Sequence, residues 1–264
     1  MPTLQQSMDA FIRHYACHGP EQLPVTECME TLALYLIHYS DLFDDPELPD
    51  EGEYAEWEEN LEAHMNDLLQ GDVEPAGDLG QLPLTALDPE HLRDFLGWFL
   101  LRESGDGEII RLYADSLRAW IDYVSGRGWW NEAESIGFSG ILDAVATAAT
   151  RVARLSLVLF HFVRSGTGVP PRLRGLRFSR FIEGHARVSG IKDGGLYFCF
   201  DNQGETVGPV LLPRPIMALV ETGDVFDVEM GLRGDSWVMV DIGPIYPGCV
   251  YVEVEEYQGF EKIS

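Results

Sequence analysis

Lysine is nearly missing from this chain. Only Lys192 and Lys262 occur in 264 residues, against 16 arginines. Positive charge is scarce altogether: 18 Lys and Arg face 44 Asp and Glu, for a formal net charge of −26. A surface this acidic repels a phosphate backbone, so nucleic-acid binding by the molecule as a whole is disfavoured. Two lysines leave little room for Schiff-base chemistry. Four cysteines, none spaced CxxC, make no disulfide framework and read as reduced thiols. No apolar run reaches the ~18 residues of a membrane span. The best candidate, residues 141–163, carries Arg151 and Arg154. The N-terminus lacks a basic stretch followed by an apolar one, so no secretory signal is expected. These absences lead to the expectation of a cytoplasmic protein without membrane contact.

Catalytic signatures are missing as well. The chain has no GxxxxGK[ST], GxGxxG, GxSxG or HExxH. Gly166-Thr167-Gly168 follows a helical pattern and precedes two prolines, the wrong context for a dinucleotide turn. No Glu-x-x-His falls on a candidate helix, so the di-iron bundle pattern is absent. No cofactor is expected.

What is present is enough apolar surface for a core: 45% of residues are apolar and 11% aromatic. Charge is laid out unevenly. Residues 1–90 hold 21 acids and one base, Arg13. By contrast, Arg151, Arg154, Arg164, Arg172, Arg174, Arg177, Arg180 and Arg187 share a stretch whose only acid is Glu183. The acidic third is a solvated face, a surface for a basic protein partner, or a counterpart to these arginines within the chain.

Apolar residues recur at helical spacing before residue 165. Leu4, Met8, Phe11 and Tyr15 mark a first helix, and Met29, Leu32, Leu36 and Tyr39 a second. Tyr54, Trp57, Leu61, Met65 and Leu68 mark a third. Asp88-Pro89-Glu90 is a helix start with a cap, a first-turn proline and an acid at the positive dipole end. Asp106 caps a fifth helix, whose wet face is expected to pair Arg111 with Asp115 and Arg118 with Asp122. Residues 139–164 are apolar on most sides, as expected for a central helix. The seam Ile141, Val145, Ala148, Val152, Leu155, Leu159 and Phe162 also suits a homodimer contact. After Pro170-Pro171 the period falls to two. Leu196, Phe198 and Phe200 alternate, as do Val250, Val252 and Val254, and residues 225–230 and 236–242 read as a hairpin. The expected fold is α+β: an acidic all-α helical bundle over 1–165, a linker over 166–178, and a small β-barrel-like domain of OB or SH3 type over 179–264.

Two clusters stand out as candidate sites. Arg172, Arg174, Arg177, Arg180 and Phe181 interleave guanidinium groups with apolar and aromatic residues. That is the chemistry of a strand-end contact with nucleic acid or a protein segment, or of a connector bound to the acidic domain. His14, Cys17 and His18 are the metal candidate, because i, i+4 histidines share a helix face and zinc takes N and S ligands. Cys28 or His38 would have to complete the set.

Residues 88–130, DPEHLRDFLGWFLLRESGDGEIIRLYADSLRAWIDYVSGRGWW, resemble the helix pair of the SAM-like core-binding domain of phage-type tyrosine recombinases. There too a helix, a short capped turn and a second helix ending in glycine follow one another. The resemblance implies a helical shape for these residues. That family's basic surface and its catalytic Arg, His and Tyr set have no counterpart here. The expected function is that of a non-catalytic interaction or regulatory protein. Its acidic helices would recruit a basic partner, and its β domain would hold a protein segment or nucleic-acid strand. The alternative is an enzyme or metal-dependent protein whose site lies between the domains.

Overall fold

Side-chain caps at Asp88, Asp106 and Asn131 start three of the helices of the front half. The computed structural model describes residues 1–18, 23–43, 77–166, 174–200 and 206–256. Helix α1 spans Leu4–His18 and α2 spans Val25–His38. The expected third helix, from Tyr54 to Leu68, lies outside the described residues. Asp88 caps α3 (Pro89–Asp94), its carboxylate accepting from Glu90 N at 2.8 Å. The chain then passes through a π-helical turn, Phe95–Phe99, into α4 (Leu100–Glu103). Sequence periodicity suggested one unbroken helix here. The π turn brings Gly97 under Val250 of the tail, where any Cβ would strike the valine side chain.

Asp106 caps α5 (Gly107–Gly126), accepting from Glu108 N at 2.8 Å. Arg111 pairs with Asp115 as expected, at 3.2 Å. Arg118 does not choose Asp122. It bridges Asp115 and Asp143, each at 2.7 Å, because the neighbouring helix brings a second carboxylate within reach. A capping box between Asn131 and Glu134 starts α6 (Glu132–Arg164) well before residue 139. Trp130 is wedged between these two helices, stacked on Phe138 at 4.0 Å and edge-on to Trp120 at 5.7 Å.

Helix α6 has 33 residues, about 50 Å at the usual rise. Bundle and sheet both pack against it. Its seam is spent inside the molecule: Val145, Val152, Leu155 and Leu159 are buried. Leu157 and Phe160 are its large apolar side chains on the outside of that half. The buried apolar residues of bundle and sheet form one continuous cluster. No helix among the described residues is long and apolar enough to cross a membrane.

The protein is α+β, with helices first and a sheet after them. The strands are β1 (Arg180–Lys192), β2 (Gly195–Cys199), β3 (Val207–Leu211), β4 (Val225–Arg233), β5 (Ser236–Tyr246) and β6 (Glu255–Glu256). A single helical turn, α7 (Arg214–Met217), separates β3 from β4. The long strand β1 pairs antiparallel with both β2 and β4, while β3 pairs parallel with β5. The pairings therefore run β1–β2–β3–β5–β4 and return to β1, with β6 added at Gly184 and His185. Asp193-Gly194, both at positive φ, turn β1 into β2. The alternation at Val250, Val252 and Val254 is real in burial, but the segment forms no strand. It is tied down from the side, where Arg187 donates to the Val252 carbonyl at 3.3 Å.

Candidate functional site

The β4–β5 hairpin closes through Gly234-Asp235 and leaves Arg233 opposite Ser236. It defines one end of the sheet, where the chain enters β1. Ser179 anchors that entry, its backbone N–H donating to the Leu232 carbonyl at 2.9 Å. Just before it, Phe178 lies on Gly231, a position where any Cβ would collide with the ring. Phe178 meets Phe181 at 4.8 Å between ring centres, and the Arg233 guanidinium sits 3.9 Å above the Phe178 ring. Round the rim, Arg180 lies 5.9 Å from the Trp237 ring. Cation–π contacts at exposed sites contribute about 0.5–1 kcal/mol each. Phe181 remains 52% exposed, so this aromatic surface is unfinished.

Of the sequence candidates, Arg180 and Phe181 are exposed at the start of β1, and Arg174 and Arg177 are exposed on the segment leading in. Arg172 lies outside the described residues. Arg233 and Trp237 were missed. They sit on either side of a two-residue turn, so they are neighbours in space, and the spacing Arg233-Gly-Asp-Ser-Trp237 carried that signal.

A second feature was invisible in the sequence. Along the outer face of β1, Phe181 is followed by Glu183 and His185. Glu183 lies opposite Glu229 of β4, and Glu229 lies opposite Asp241 of β5. His185 lies opposite Asp227. Three carboxylates therefore form a row across the sheet, with Asp227 beyond it. Burial pushes the Glu229 carboxyl above its usual range, and Glu183 and Asp241 add to the rise. Burial does the same to Asp227, with His185 opposing and Glu183 and Asp241 reinforcing. Arg164 at the end of α6 reaches the Asp241 carboxylate at 3.2 Å. Consecutive residues on one face of a strand are about 7 Å apart. The aromatic–arginine end and the acidic row are thus direct neighbours.

Helices and sheet are joined by a third cluster. Arg151 of α6 forks onto Asp224 at 2.8 and 2.7 Å and donates to the Leu219 carbonyl at 2.6 Å. Asp224, 1% exposed, also accepts from Glu221 N at 2.8 Å. These polar groups satisfy one another and clamp the α6–sheet junction.

The metal candidates are scattered in their contacts. The His14 ring rests on Tyr123 at 4.9 Å, and Cys17 is exposed. The His18 side chain lies outside what is described. Cys28 is buried, with its thiol facing the Tyr113 carbonyl at 3.7 Å. Burial raises that thiol well above its ordinary pKa. Among the described residues, no group of three or more His, Cys, Asp or Glu could hold a metal ion.

No family model matches the sequence, and comparison with curated proteins and with solved structures returned no match.

Proposed function

We propose that this chain is a non-catalytic intracellular interaction protein whose sheet end binds a protein segment of mixed charge. The observation that carries the reading is the contact between two unlike surfaces. Phe178, Phe181 and Arg233 offer aromatic and cationic contacts, and one step along the strands lies the row Glu183, Glu229 and Asp241. A phosphate strand crossing the aromatic end would bring its charges within about 7 Å of three carboxylates, well inside the ~10 Å Debye length at moderate salt. A peptide can match both surfaces, with acidic or aromatic side chains at the rim and basic ones over the row. The strand pairings that return to β1 support a five-stranded barrel of OB type. In that architecture the loop between strands four and five is a ligand-contacting loop, and here it is the hairpin beside Arg233 and Trp237.

The acidic bundle supports a second contact of the same kind, a basic partner docked by charge. Fluorescence anisotropy tests the sheet-end reading with two labelled probes. One is a peptide of glutamates, a tryptophan and lysines in that order, and the other a dodecameric oligothymidylate. The expected result is saturable, salt-sensitive binding of the peptide, weakened by Phe181→Ala and Arg177→Ala. Tight binding of the oligothymidylate with no response to the peptide would replace this reading with a nucleic-acid one.

A further inference from the structure

A cavity of about 550 Å³ opens on the bundle, far in sequence from the sheet-end surface. It is lined by Tyr35 and Tyr39 of the α2 end, Asp41, and the start of α3 from Asp88 to Asp94. Its size suits a small organic ligand. Four carboxylates (Asp41, Asp88, Glu90 and Asp94) face one guanidinium, Arg93.

The internal bonds show which acceptors remain. Arg93 takes both oxygens of Asp94, at 2.8 and 3.2 Å, and also pairs with Glu90. His91 Nδ1 lies 3.0 Å from the Asp88 backbone nitrogen and 3.2 Å from the Asp88 carbonyl oxygen. His91 Nε2 lies 3.0 Å from one oxygen of Asp41. Asp88 caps α3, its carboxylate accepting from the backbone N–H groups of Glu90 and His91. Asp41 keeps a second carboxylate oxygen.

The floor of the cavity is Tyr35, only 3% exposed. Its ring is fixed between Phe95 and Phe99, at 5.5 and 5.4 Å. Its hydroxyl makes no hydrogen bond to a described residue, yet it lies close enough to Asp94, Asp41 and Arg93 to feel their charges. The ring is buried, but the hydroxyl opens to the cavity, where a ligand's N–H can meet it. Anions are excluded by the net negative lining. A metal ion is disfavoured, since no ligand triad converges among the described residues.

We propose that this cavity binds an alkylammonium ion, whose three N–H donors meet the Tyr35 hydroxyl and the carboxylates of Asp41 and Asp88, with its alkyl stem against Tyr39. The ligand is either a free amine or the lysine side chain of a partner, and the proposal is independent of the sheet-end reading. Isothermal titration of the full chain with cadaverine and, separately, with N-acetyl-lysine amide tests it. Saturable one-to-one binding of cadaverine alone assigns a free amine, and binding of the lysine amide assigns a partner's side chain.

Tyr35→Phe removes only the unpartnered hydroxyl. It should weaken binding about tenfold, the worth of one hydrogen bond to a charged group, while the melting temperature stays level or rises. Asp41→Asn should weaken binding too. Absence of saturable binding by either amine, equal affinity in Tyr35→Phe, or tight uptake of calcium ions that is lost in Asp41→Asn would each overturn the proposal.

Discussion

The sheet uses carboxylates in two opposite ways. At the entry to β4, Asp224 is sealed from water, and its carboxylate is held by a forked arginine of α6 and a backbone N–H. On its outer face Glu183, Glu229 and Asp241 stand opposite one another, with Arg164 paired to Asp241. The first arrangement holds the molecule together. The second works against it, since like charges directly opposite across strands are destabilising. A surface that costs stability in the free protein, next to a half-exposed phenylalanine, fits a surface completed by binding.

The largest expected effect separates the two regions at once. Arg151→Ala leaves Asp224 buried without its counter-charge, and should cost about 3–5 kcal/mol in chemical denaturation. A loss below ~1 kcal/mol would mean that the clamp is not structural. Gly231→Ala drives a Cβ into the Phe178 ring. It should cost about 1–3 kcal/mol as an overpacking change and blunt peptide binding, read by thermal melts and anisotropy on the same sample. Phe181→Ala should leave stability within ~0.5 kcal/mol and still lower peptide affinity several-fold, because the ring is half in water. A matching loss of stability would assign Phe181 to the core instead.

The smallest effect has the opposite sign. The Glu229 carboxyl titrates above its usual range in the folded protein, so the fold binds its proton more tightly than the unfolded chain does. This contribution favours folding at low pH and is lost as pH rises through the raised value. Glu229→Gln should therefore stabilise the protein at neutral pH, by about 0.2–1 kcal/mol. The gain should disappear below the ordinary carboxylate range. A gain that persists at acid pH would point to packing rather than charge.

The comparison also shows what could be read from sequence. Helix starts at Asp88 and Asp106 were legible because a cap acts within three residues. The hairpin over 225–246 was legible for the same local reason. Strand β1 was not, because its inward positions include Gly184 and Ala186, which mute the period of two. The valines at 250–254 misled in the other direction: their alternation arises from packing beside Arg187 without a partner strand. At the candidate site, Arg180 and Phe181 were singled out by composition. The acidic row did not, since Glu183 and Asp241 are brought together by the β4 register and by an irregularity in the β4–β5 pairing.

Measuring peptide affinity and melting temperature together for Glu229→Gln at neutral pH asks the decisive question. If the acidic row is kept for a ligand, the variant melts higher and binds the mixed-charge peptide more weakly. A variant that melts higher and binds equally well would contradict the account, leaving the row as a surface that no partner uses.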